Sequence, residues 1–114
     1  MKKKVFASLM MLAMIAPSYD AWAGAKNLDV MNKSGKVVVN VLAQNNDIPS
    51  DNFATYDIGI AINGRTGPLD IDWAKTCTVN VKFVFEDGTD VVWGPVDVCG
   101  SGRFVLKPNS LDDG

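Results

Sequence analysis

The chain has 114 residues, with 11 basic and 13 acidic side chains, two cysteines and no histidine. Without histidine, the Ser-His and Cys-His nucleophile systems, the usual zinc sites and the commonest general base are excluded. The basic residues are scattered rather than gathered into a stripe that would neutralise phosphates, so the sequence argues against nucleic-acid binding.

The N-terminal segment has the three parts of an export signal. Three lysines precede an apolar run over residues 5–16, and Ala21 and Ala23 supply the small-x-small cleavage pattern before Gly24. As a helix the run would be about 18 Å long, too short for a bilayer core of about 30 Å. We therefore predict a signal peptide over residues 1–23, cleaved before Gly24, and a periplasmic or secreted product with no stable membrane insertion.

Cleavage makes the protein more acidic. Removing three lysines and one aspartate leaves 8 basic and 12 acidic residues, a formal net charge of −4. The exported part is predicted to be one domain over residues 24–107, followed by a polar, flexible tail over residues 108–114.

Alternation of apolar and polar residues recurs through this domain and predicts strands, since successive side chains of a strand point to opposite faces. In chain order, strands are predicted over residues 28–31, 36–44, 56–63, 69–73 and 77–86. A further strand is predicted after the Asp87-Gly88 turn, and the last over residues 103–107. The second is apolar on both faces and is predicted to be central, whereas the first and last are predicted to be outer strands. About seven short strands in about 90 residues predict an all-β fold, a small antiparallel β-sandwich of immunoglobulin-like type, with a small barrel as the alternative.

The Asp87-Gly88 turn predicts a hairpin. Placing Phe83 opposite Trp93 puts large apolar groups on one face around a three-residue loop, residues 87–89. The same register would place Asp97 in the core. Because proline cannot donate to the ladder, a bulge or crossover is predicted at residues 94–95.

The two cysteines, Cys77 and Cys99, allow one intramolecular pairing. In an oxidising compartment an internal disulfide is favoured over free thiols or an intermolecular bridge. Closing a loop of about 20 residues would stabilise the domain by about 3 kcal/mol. Whether the bridge joins directly paired strands stays open.

Several segments together resemble a family of small exported proteobacterial proteins of unknown function. They are Asn32-Lys33-Ser34-Gly35, Cys77, Val84-Phe85-Glu86-Asp87-Gly88-Thr89, Trp93 and Val96-Asp97-Val98-Cys99. The resemblance covers most of the exported domain and departs after the second strand, where relatives carry Ser-Pro-Ser and a tryptophan. It implies a signal peptide, a disulfide and a sandwich-like domain, and it supplies no catalytic residue.

Asp70 and Asp72 would lie on one face of a strand, about 6.5–7 Å apart along it. Such a pair suits glycosidic-bond hydrolysis, or a calcium site completed by Asp57 or Asp90. The alternative is an amphipathic edge strand whose outward charges block aggregation, and this explanation is favoured because alternation alone produces the pattern.

Two further residues are candidates for ligand contact. Trp73 is an aromatic that either contacts a sugar or peptide or anchors the core, and core burial is favoured. Arg65 lies in Gly64-Arg65-Thr66-Gly67, which is similar to a nucleic-acid loop but is predicted to be a turn, because it has strands and not helices on either side. Candidate binding residues are therefore Trp73, Asp70, Asp72 and Arg65.

The sequence leaves three functional hypotheses. The first is a non-enzymatic exported domain, without cofactor or metal, that binds another protein or an envelope component through loops 45–52 or 63–68. The second is a carbohydrate-active or metal-assisted enzyme that uses Asp70 and Asp72. The third is a structural envelope protein that assembles with itself through a strand edge, as a homo-oligomer.

Overall fold

The computed structural model describes residues 26–46, 48 and 52–114, and every regular element among them is a strand. The predicted signal peptide and the central part of the 45–52 loop lie outside the described residues. No helix in the described part of the chain is long and apolar enough to cross a membrane.

The described residues form eight strands in two four-stranded sheets. The strands are β1 (Asn27–Asn32), β2 (Val38–Asn45), β3 (Ala54–Tyr56), β4 (Leu69–Asp70), β5 (Thr78–Phe85), β6 (Asp90–Asp97), β7 (Arg103–Lys107) and β8 (Ser110–Asp113). One sheet has the order β4-β1-β7-β8 and the other β3-β2-β5-β6. Neighbouring strands are antiparallel except β1 and β7, which run parallel. The predicted all-β sandwich is confirmed.

The core lies between the two sheets and is built by alternation. Each long strand turns every second side chain inward, as the pleat requires. The buried apolar residues include Leu28, Val30, Val41, Val79, Val81, Phe83, Phe104 and Leu106. The prediction of a central strand over residues 36–44 is confirmed, because β2 lies between β3 and β5.

The prediction of outer strands at residues 28–31 and 103–107 is wrong. These segments are β1 and β7, which occupy the middle of their sheet, because β4 covers one side of β1 and β8 covers one side of β7. The flexible tail is a second correction. Residues 110–113 form β8, in which Leu111 lies opposite Leu106 and packs against the core. Pairing with β7 satisfies the backbone there although the side chains are mostly polar.

The predicted strand over residues 56–63 is interrupted. Only its first residue belongs to β3, and Ile60 returns to β2 through an isolated bridge with Val38. Between Tyr56 and Ile60 this segment has one residue more than the facing stretch of β2, so the ladder breaks. The chain then crosses to the other sheet, where the Asn63 amide donates to the Asn32 carbonyl at 2.8 Å.

The hairpin between β5 and β6 has the predicted Asp87-Gly88 turn but a different register. Phe83 lies opposite Val91, and Trp93 lies opposite Val81. The loop is residues 86–88, closed by the Phe85 amide donating to the Thr89 carbonyl at 2.8 Å. Gly88 is the third residue of this loop and has φ of 87°, a left-handed conformation that glycine adopts readily. The predicted loop, residues 87–89, would have placed Thr89 in that position, and a threonine would resist this conformation.

At the far end of this hairpin two predictions are confirmed. The register shifts between Val79 and Val81, across from Gly94-Pro95, where a bulge was predicted. Cys77 and Cys99 form a disulfide just outside the ends of β5 and β6. Because the Val98 amide donates to the Cys77 carbonyl at 2.8 Å, the bridge closes the open end of two directly paired strands. It does not span two sheets, as the disulfide of antibody domains does.

Candidate functional site

The predicted candidate residues lie in two places. Arg65 contacts β1 in a cleft on the outer face of the β4-β1-β7-β8 sheet. Trp73, Asp70 and Asp72 lie together at the β4 edge of that sheet, beside Tyr56. The structure therefore does not bring all four into one site.

The cleft is organised by Asp29, which the sequence analysis did not select. Its neighbours Leu28 and Val30 point into the core, so Asp29 lies on the outer face of the sheet, yet only 7% of the residue is exposed. Arg65 covers it. The Arg65 Nε donates to Asp29 Oδ1 at 3.3 Å, and Nη2 donates to Oδ2. These hydrogen bonds, and the negative charge of Asp29, raise the pKa of Arg65 above its usual value, while burial opposes the shift.

Backbone pairing holds Arg65 in place. Residues 63–66 were predicted to form a turn, and they run along β1 as an added edge. The Asn32 amide donates to the Gly64 carbonyl at 2.8 Å, and the Thr66 amide donates to the Val30 carbonyl at 2.9 Å. The Val30 amide in turn donates to Thr66 Oγ1 at 3.0 Å. Arg65 itself bridges to Met31, which is two residues from Asp29 on the same face of β1.

A second arginine lies on the other side of Asp29. Arg103 begins β7 and is the direct partner of Asp29 in the parallel ladder, and the Asp29 amide donates to the Gly102 carbonyl at 2.7 Å. The Arg103 side chain is exposed and forms no ion pair with any described residue. A cleft of about 310 Å³ opens here, and it is lined by Asp29, Met31, Arg65, Arg103, Phe104, Val105 and Gly114.

At the β4 edge, hydrogen bonds join the margins of the two sheets. The Trp73 Nε1 donates to the Tyr56 hydroxyl at 2.6 Å, and that hydroxyl donates to the Asp70 carbonyl at 3.0 Å. Burial raises the pKa of Tyr56, with a further increase from the charge of Asp70, while the Trp73 hydrogen bond lowers it. Trp73 is 39% exposed, so the preference for core burial is wrong and its ring lies at the surface. The strand predicted here ends at Asp70, and Trp73 lies in the turn that follows.

The two carboxylates organise this turn. Asp70 Oδ1 accepts the Asp72 amide at 3.0 Å, and Asp72 Oδ1 accepts the Lys26 amide at 3.1 Å. Both residues are exposed, and neither lines the cleft. In the described part of the chain they are not grouped with Asp57, Asp90 or another acidic residue at metal-binding distance.

Cys77, Asp97 and Cys99 are the one set of possible metal ligands that the described residues bring within 4.8 Å of one another. Both sulfurs are bonded to each other, and Asp97 Oδ1 accepts the Cys99 amide at 2.8 Å. This grouping is therefore explained by the disulfide and its turn, and it does not fit a metal ion.

Comparison with known proteins supports the fold. No protein-family model matches the chain, and no curated protein matches it. The chain is similar to a protein from Eubacterium rectale whose structure was determined by NMR, with a TM-score of 0.56 and 14% sequence identity, over 80% of this chain and 84% of that one. At this identity the likeness concerns the fold alone.

Proposed function

We propose that the protein is an exported, non-enzymatic domain that binds another protein or an envelope component through the cleft beside β1 and β7. The observation that carries this proposal is Asp29. This buried carboxylate holds Arg65 at a cleft in which a second arginine, Arg103, has no ion-pair partner among the described residues. The disulfide is consistent with export to an oxidising compartment, and the N-terminal lysines, apolar run and Ala21-Trp22-Ala23 pattern support cleavage before Gly24.

The cleft has the composition of a recognition surface. Arginine is enriched at protein interfaces together with methionine and aromatic residues, and the strongest contacts lie where a charged anchor meets apolar walls. Arg65 is held by two hydrogen bonds to Asp29 and by its bridge to β1, so it loses little conformational freedom when a ligand binds.

The carboxylates of Asp70 and Asp72 fit an enzyme less well. General acid catalysis on a glycoside needs a carboxyl whose environment raises its pKa, in a site that encloses the bond to be cleaved. Both side chains are exposed, and each accepts a backbone amide: Asp70 that of Asp72 in the same turn, and Asp72 that of Lys26. We therefore assign them a structural role, and a non-enzymatic function is favoured.

Self-assembly is the second candidate, and β6 is the observation in its favour. This eight-residue strand is the outer member of its sheet, and Val92 on it is 48% exposed. Pro95 lacks an amide proton, which shortens the stretch available for pairing. If β6 pairs between copies, sedimentation velocity will show a size that increases with concentration.

Capture from cells that export the protein tests the cleft. A tagged chain is crosslinked in the periplasm, and the recovered partner is quantified by mass spectrometry for the wild type and two variants. Val105→Glu places a charge in the cleft, whereas Val92→Glu places the same charge on the other sheet. We expect Val105→Glu to lose the partner and Val92→Glu to retain it. Equal recovery from both variants, or loss only with Val92→Glu, would overturn the assignment of the site.

A further inference from the structure

We propose that two copies of the protein form a closed dimer by antiparallel pairing of β6 with β6 about a two-fold axis at Val92. This inference concerns a surface other than the cleft. It rests on self-assembly, the second candidate function, and fixes the register of the contact between the copies.

Alternate residues of β6 present their backbone groups to the open edge of the sheet. β6 pairs with β5 on one side and is the outer strand. The Phe85 amide donates to the Thr89 carbonyl at 2.8 Å, so these two residues form a hydrogen-bonded pair. Hydrogen-bonded and non-hydrogen-bonded pairs alternate along an antiparallel ladder. Asp90 and Val92 therefore form non-hydrogen-bonded pairs with β5 and direct their amides and carbonyls towards the edge.

A second copy of the same strand fits this edge in one register. Val92, which is 48% exposed in the single chain, lies opposite Val92 of the second copy, and the two side chains cover each other. Asp90 then lies opposite Gly94, which brings no side chain against it. The Asp90 carboxylate stays 3.9 Å from Lys82 Nζ of its own copy, so its charge is balanced there.

The neighbouring two-fold registers are less favourable. Centring the axis at Val91 sets the charged Asp90 opposite the apolar Val92. Centring it at Trp93 sets Val92 opposite Gly94, so the two exposed valines do not meet. Centring it at Asp90 places two carboxylates directly opposite each other, which destabilises a sheet. The pattern of charged and apolar residues therefore selects the axis at Val92.

The inner face of the strand favours the same register. Val91 and Trp93 pack against the core but are only half-buried, because β6 is the outer strand. About the axis at Val92, Val91 of one copy lies opposite Trp93 of the other. An aromatic and a β-branched side chain form a favourable cross-strand pair. The contact would therefore continue the apolar core across the edges of both copies.

The bulge at Gly94-Pro95 limits the length of the contact. In this register Pro95 lies opposite Thr89, whose carbonyl already accepts the Phe85 amide. The missing amide proton of proline therefore leaves no hydrogen bond between the copies unmade. Beyond Pro95 the bulge bends the strand, so pairing ends before Asp97, which would otherwise meet the acidic turn of the second copy. A two-fold contact uses the same patch on both copies, so it gives dimers and not fibres.

The test is sedimentation velocity of the processed protein purified from the periplasm, over a wide range of concentration. We expect the wild type to change from monomer to dimer as concentration increases. Val92→Lys and Val92→Glu each set like charges against each other at the axis, so each should be monomeric where the wild type is a dimer. An equimolar mixture of the two variants should return to the size of a dimer, because contacts between them join opposite charges.

Val39 provides the matched control. It is 46% exposed and lies on β2, in the interior of the same sheet. Val39→Lys and Val39→Glu change the net charge in the same way and should dimerise like the wild type. Circular dichroism of all four variants should match the wild type, because each replaced side chain is exposed.

The outcomes separate this inference from the functions proposed above. A dimer that persists in both Val92 variants, a mixture that stays monomeric, or species larger than a dimer would overturn the closed pairing about Val92 and leave self-assembly standing. A wild type that is monomeric at every concentration would overturn both this inference and self-assembly. The cleft lies on the other sheet and is tested independently by Val105→Glu.

Discussion

At the scale of single residues, Asn32 joins the turn after β1 to the segment around Ile60. It takes an inward position at the end of β1 with 0% exposure. Its Nδ2 donates to the Lys36 carbonyl at 2.7 Å and to the Ile60 carbonyl at 3.1 Å. Its Oδ1 accepts the Ser34 hydroxyl at 2.6 Å and the Ser34 amide at 3.1 Å. One buried amide thus fixes both the turn after β1 and the crossing between sheets.

The variant Asn32→Ala would leave buried backbone groups without partners. An unsatisfied buried polar group costs about 1–3 kcal/mol, and a cavity adds to this. We expect the free energy of unfolding to decrease by about 3 kcal/mol, measured by urea denaturation. Asn27→Ala on the same strand is the matched control, because Asn27 is exposed, and it should change stability by less than about 0.5 kcal/mol. Equal losses in the two variants would contradict this role.

The residue scale also shows why the cleft was only partly predictable. Arg65 was selected as a candidate, but Asp29 and Arg103 were not. Asp29 is 36 positions from Arg65, and Arg103 meets it only because β1 and β7 pair in parallel. Leu28 and Val30 point into the core on either side of Asp29, so Asp29 takes an outward position. The sequence carried no signal that this carboxylate would be covered, because that depends on the docking of residues 63–66 along β1.

At the scale of elements, the hairpin between β5 and β6 is set by the chemistry of its turn. Asp87 Oδ1 accepts the Thr89 hydroxyl at 2.5 Å and the Thr89 amide at 3.0 Å, and Lys36 Nζ lies 3.1 Å from Oδ2. The Thr89 hydroxyl contributes most, followed by the Thr89 amide and Lys36, and together they lower the pKa of Asp87 from 3.8 to about 2.

This depressed pKa predicts a pH dependence. A carboxyl with a lower pKa in the folded state stabilises the fold above its unfolded pKa, and this contribution is lost as pH falls through the folded pKa. We therefore expect the thermal midpoint to decrease between about pH 4 and pH 2, and to decrease less in Asp87→Asn. Because Asp87 is exposed, the effect is small, so the direct measurement is an NMR titration of its carboxyl carbon.

The NMR titration should give a midpoint of about 2 for Asp87. Thr89→Ala should raise that midpoint more than Lys36→Gln does, because the threonine contributes the larger interaction. A midpoint near 3.8 in the wild-type protein would show that the turn does not hold the carboxylate in this way.

Elements differed in how far the sequence determined them. β2 and β5 were predicted because long valine-rich runs bounded by turn residues have few other interpretations. The hairpin register was missed by two positions, although the preference of Gly88 for the left-handed third place of the loop was a usable signal. β8 was missed because Ser110–Asp113 has one apolar side chain, and only its pairing with β7 makes it a strand.

At the scale of the whole molecule, the disulfide stabilises a small domain. Cys77 and Cys99 are 22 positions apart, so the bridge constrains the unfolded chain by about 3 kcal/mol in the chain-entropy model. We expect the variant Cys77→Ser/Cys99→Ser to lose about this much stability in urea denaturation. The wild-type protein under reducing conditions should match the double variant. A loss below about 1 kcal/mol would contradict the chain-entropy account of this bridge.

The central claim is that an exported sandwich domain binds its partner at the cleft beside β1 and β7. Site-specific photocrosslinking in exporting cells tests it most directly, with a benzophenone side chain at Val105 in the cleft or at Val39, an exposed position on β2 in the other sheet. The account predicts a single light-dependent adduct from position 105 and none from position 39. An adduct from position 39 alone, or no adduct from either position, would contradict it.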